Sequence, residues 1–118
     1  GHSKCGAVKG ACDHVEMGNL TELLAKLQPS VYQEKQTKEN RSSSNGEFVE
    51  NVASINVKRT VKNIIERSFI LENMVENGEI GVVGAMYNIE TGKVEFYDEV
   101  MFIRDEHNPD FSVAQLRH

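Results

Sequence analysis

The sequence predicts an α/β fold within a single domain, and two observations carry that expectation. Apolar residues recur at three-four spacing over two separate stretches, as the buried stripe of an amphipathic helix requires. A continuous apolar run, "IGVVGAMY", is then followed by a polar turn and an extended pattern, which reads as a β-hairpin. The length of 118 residues suits one domain.

The elements follow in order along the chain. Residues 1–32 open with Gly1, Gly6, Gly10 and Gly18, small positions that predict a tight, close-packed segment. "GNLTELLAKLQPSV" then predicts a short helix. Asn19 is placed to cap it, Leu20, Leu23, Leu24 and Leu27 form its stripe, and Pro29 stands where it should end. Residues 33–46, "QEKQTKENRSSSNG", contain no apolar side chain to offset the entropy of ordering them, so they predict an exposed, mobile loop.

Residues 47–78 carry the second stripe, from Phe48 and Val49 through Val61 and Ile65 to Met74 and Val75. At roughly 30 residues it exceeds a usual globular helix, which predicts two helices with a break at Ser68 and a stop at Gly78. Residues 79–104 predict the hairpin, with Thr91 and Gly92 in its turn. Its first strand is apolar on both faces, as strands inside a sheet are. The tail, 105–118, gives only weak turn and helix signals around Pro109.

Composition excludes some function classes. The apolar runs are far too short to span a bilayer, which predicts no membrane partner. A net charge of -5, with scattered basic residues, predicts no nucleic-acid partner, because a phosphate backbone needs a positive field. Two cysteines seven apart, with no secretory signal, predict reduced thiols and a cytoplasmic location.

The chemistry sits at the front. His2 and Cys5 pair an imidazole with a potential thiolate close enough to hold one ion, and a mixed nitrogen and sulfur set favours zinc. Two ligands do not complete a site. Cys12, Asp13 and His14 offer a local completion, H-x2-C-x6-C-D-H, whose spacing matches no common zinc finger. Otherwise Cys12 is a packing residue or a free thiol, and His14, His107 and His118 face solvent.

"GHSKCGAVKGA" closely resembles the second metal motif of the β-class carbonic anhydrases, G-H-x-x-C-G-A. The likeness continues through "GNLTELLAKLQPSV", "NVKRTVKNIIERS" and "GEIGVVGAMYNIETGKVEF", in order, over about residues 1 to 100. The resemblance implies that His2 and Cys5 are two zinc ligands, that Gly1 is native, and that the hairpin belongs to a mainly parallel sheet. It implies reversible hydration of carbon dioxide to bicarbonate, with zinc activating water. Without the neighbouring strands the apolar faces of Ile80, Val82, Val83 and Met86 need other cover, which predicts a homo-oligomer, dimer or tetramer. The family's earlier C-x-D-x-R motif, which carries another cysteine ligand and an Asp-Arg pair, has no counterpart in this sequence. The expectation is therefore the C-terminal portion of such a fold, inactive by itself. A non-catalytic zinc-binding or oligomerisation protein on the same scaffold is the alternative.

Overall fold

The structure, a computed structural model, describes residues 1–101. The tail at 105–118, with His107 and His118, lies outside the described residues, as does the end of the 79–104 segment. The order of elements is α1 (Gly6–Cys12), α2 (Gly18–Ala25), α3 (Gln28–Gln33), α4 (Gly46–Arg67), α5 (Phe69–Glu76), β1 (Val82–Tyr87) and β2 (Val94–Met101). The chain divides into two compact units, one built from Gly1–Asn56 with Tyr87–Lys93, the other from Val57–Met86 with the chain from Val94 onward.

In the first unit, α1 occupies the segment that the glycines predicted only as close-packed. Two glycines in seven residues give it poor intrinsic propensity, yet it buries Val8, Ala11 and Cys12. Gly10 shows why the residue is small: a Cβ there would stand 3.1 Å from Leu24 Cδ1. The single helix expected over 19–29 is two helices. Met17, not Asn19, precedes the first turn of α2, and Pro29 sits near the start of α3, where a missing N–H costs nothing. Of the leucine stripe, Leu24 is buried while Leu20 and Leu23 are exposed.

The 33–46 segment departs from the expected exposed loop at its first turn. Gln33 closes α3, and Glu34 is a buried carboxylate, 2% exposed. It accepts from Thr37 N–H (3.0 Å), Thr37 Oγ1, Arg41 Nη1 (3.2 Å) and Asn51 Nδ2 (3.1 Å). Arg41 also donates to the carbonyls of Thr37 and Val31 and lies over the Phe48 ring, 4.6 Å from its centroid. Asn45 Oδ1 then accepts from Phe48 N–H at the start of α4. Polar groups hold Glu34 and Arg41, while most of the residues that follow Glu34 in the segment are exposed, as expected of the loop.

In the second unit, the helical stripe breaks at Ser68. Its hydroxyl accepts from Leu71 N–H and caps α5. Gly78, at φ 74°, ends α5: Gly78 N–H donates to Val75 O and Glu79 N–H to Met74 O, a Schellman closure. β1 and β2 form a two-stranded antiparallel sheet. Gly84 and Met86 face inward, and Val57 and Val61 of α4 cover that side so closely that a Cβ on Gly84 would stand 2.7 Å from Val57 Cγ1. Val83 and Tyr87, on the other face, are exposed. The described residues form no parallel sheet; a single isolated parallel bridge joins His2 and Tyr87 in the first unit.

Candidate metal centre

His2 and Cys5 bracket a turn whose backbone is tied down at both ends. Tyr87 N–H donates to Gly1 O at 2.9 Å and Ser3 N–H to Tyr87 O at 2.8 Å, so His2 sits in a short parallel ladder. Lys4 adopts φ 54°, a left-handed conformation uncommon for a side chain of its size, and this reverses the chain into α1. Cys5 is the residue that precedes α1, and its carbonyl accepts the Lys9 N–H at 3.0 Å.

The two side chains suit a metal. His2 is exposed, and its Nδ1 lies 2.9 Å from Ser3 O. A carbonyl only accepts, so Nδ1 carries the proton and the Nε2 lone pair is left for a ligand, the usual arrangement of a metal-binding histidine. Cys5 is half-buried and free of any disulfide. The donor set, one imidazole nitrogen and one thiol, fits zinc.

The hairpin turn supports this loop. Ser3 Oγ accepts from Ile89 N–H at 2.9 Å, and the Lys4 ammonium pairs with the Glu90 carboxylate, which lowers the Glu90 pKa. Neither contact was visible in the sequence. Nothing local links Ser3 with a residue 86 positions away.

The local completion through Cys12, Asp13 and His14 is not assembled. The Cys12 thiol is buried in α1, and burial, with the Asp13 charge beside it, raises its pKa to about 11 despite Arg41, so it resists becoming a thiolate. The Asp13 carboxylate is taken by Ser43, accepting from both its N–H and its hydroxyl, and these bonds lower its pKa. His14 is exposed, with its ring tilted toward Tyr32. No group of three or more His, Cys, Asp or Glu placed to hold an ion occurs among the described residues. A cleft of about 210 Å³, lined in part by His14, Gln28 and Tyr32, includes neither His2 nor Cys5.

No curated protein matches the chain at a significant level. The family described as carbonic anhydrase matches residues 1–94, which take in His2 and Cys5, the helices and the hairpin turn. The chain belongs to the carbonic anhydrase family, in its β class.

Proposed function

We propose that the protein in which these residues work is a zinc-dependent carbonic anhydrase interconverting carbon dioxide and bicarbonate, with His2 and Cys5 as two of the metal ligands. The single observation that carries the assignment is the 2.9 Å contact of His2 Nδ1 with Ser3 O, which turns Nε2 toward a ligand, in a loop that also ends on the thiol of Cys5. Zinc bound here supplies Lewis acidity that makes water acidic near neutral pH. His2 holds the ion through a neutral nitrogen. Cys5 gives up its proton on binding and contributes the negative charge.

Two protein ligands leave an ion weakly held, and a catalytic zinc site uses three. The proposal therefore draws the remaining ligand from residues beyond these 118, as the missing C-x-D-x-R motif suggests, and places β1 at the end of a larger, mainly parallel sheet. The parallel pairing at His2 and Tyr87 supports that arrangement. By the same reasoning the 118 residues alone do not hydrate carbon dioxide at an enzymatic rate. The reading also includes a cytoplasmic location.

Zinc analysis of full-length protein carrying Cys5→Ser tests the assignment. Loss of zinc is expected, and undiminished occupancy refutes it. Stopped-flow hydration by the isolated 118-residue chain with added zinc is expected to show no enzymatic turnover.

A further inference from the structure

We propose that Ser3 is a positioning residue for the metal loop, through which the hairpin turn at 88–93 sets the placement of His2 relative to Cys5. This rests on the reading above, that His2 and Cys5 hold a metal.

Ser3 acts at two points at once. Its carbonyl accepts from His2 Nδ1 and fixes the tautomer and direction of the imidazole. Its hydroxyl accepts from Ile89 N–H and fixes the peptide that bears that carbonyl. A shift of Ser3 therefore moves the histidine ring, without any change in the ligands themselves. The following residue, Lys4, holds a left-handed backbone, so the loop has little freedom to absorb such a shift.

The turn that supplies the Ile89 N–H is shaped by its own side chain. Asn88 Oδ1 accepts from Glu90 N–H at 2.9 Å and from Thr91 N–H at 3.2 Å. The backbone closes the same turn, with Asn88 N–H on Lys93 O and Gly92 N–H on Asn88 O, each at 2.8 Å, and Gly92 takes φ 77°. The Ile89 N–H is thus presented from a stiff platform. The Lys4–Glu90 pair spans the same two segments, but both side chains are more than half exposed, and exposed ion pairs contribute little. The backbone bonds of Gly1 and Ser3 to Tyr87 hold the loop from one side, and the hydroxyl of Ser3 is the side-chain tether that adds the turn.

Cobalt(II) is the probe, bound to full-length protein and titrated against a competing chelator, with the thiolate-to-cobalt absorption read alongside affinity. Ser3→Ala is expected to weaken cobalt binding about tenfold while the thiolate band remains, as for outer residues that orient a ligand. Ser3→Thr restores the affinity, because the acceptor oxygen returns. Glu90→Gln stays within about twofold of the unaltered protein. Asn88→Ala, which loosens the turn without touching the loop, weakens binding as well, and adding it to Ser3→Ala costs less than the two separate losses combined. Cobalt affinity unchanged in Ser3→Ala, alongside abolished binding in His2→Ala and Cys5→Ser, overturns the positioning role and leaves the ligand assignment standing. Unchanged binding in His2→Ala and Cys5→Ser removes the assignment, and the positioning role with it.

Discussion

Glu34 is a carboxylate drawn out of water in a stretch that has no apolar side chain. Burial alone would raise its pKa, but hydrogen bonds from the Thr37 hydroxyl and N–H, then from Asn51 and Arg41, outweigh it and bring the value down to about 2. A carboxyl whose folded pKa is depressed adds stability that is complete above its ordinary unfolded value. That contribution is lost as pH falls toward about 2. Glu34→Gln should therefore destabilise the protein by about 2 kcal/mol near neutral pH, since bonds to an ionised acceptor are stronger than neutral ones. The difference from the unaltered protein should shrink on acidification, and urea unfolding at pH 7 and pH 3 measures it. The two thiols make a second contrast. Cys12 is buried with a pKa of about 11, whereas Cys5 is half-buried. In metal-free folded protein at pH 8, iodoacetamide should modify Cys5 and spare Cys12 until the chain is unfolded; peptide mass mapping reads the outcome.

The ends at Ser68 and Gly78 were legible because their chemistry is local, whereas Asn19 and Pro29, equally local signals, misplaced the ends of α2 and α3. Ser68 and Gly78 supply a cap hydroxyl and a left-handed backbone within a few residues of the groups they satisfy, so the sequence carries the whole interaction. α1 was not legible, because its glycines argue against a helix and only packing against Leu24 explains Gly10. The buried Glu34 was hidden for a related reason: its partners are all polar, and hydropathy is blind to them. The proposal of His2 and Cys5 as ligands needs only four consecutive residues, while the tether from Ser3 to Ile89 depends on chain folding over 86 positions. Gly84 offers a test of packing between α4 and β1. Its absent Cβ is the space that Val57 Cγ1 fills, with Tyr97 and Val61 close behind, so Gly84→Ala should cost about 1–3 kcal/mol through overpacking. Gly46→Ala, where nothing lies within 4 Å of the added carbon, should cost none of this. Comparing the two midpoints in urea separates crowding from a general effect of replacing glycine.

Across the molecule, the described residues of both units leave large apolar side chains in water. Among the described residues the first unit buries Phe48, Val52 and Leu24 but exposes Met17 and Tyr32, and the second buries Val61, Ile65, Val75 and Met86. That second unit leaves Phe69 76%, Ile70 72% and Phe96 66% exposed. Single exposed apolar residues are ordinary, but several large ones on a small unit gain from being covered. Removing apolar area from water is worth roughly 25 cal/mol per Å², so pairing such surfaces competes with the entropy lost on association. The expectation is a homo-oligomer that buries part of this surface. Replacing Ile70 and Phe96 together by lysine should move the population toward monomer while the far-ultraviolet circular dichroism stays unchanged, because neither side chain contributes to the core. Sedimentation equilibrium on both proteins over a range of concentrations reads the result. A purified, unaltered chain that sediments as a monomer throughout that range contradicts the expectation, and an oligomer indifferent to both substitutions places its contact elsewhere.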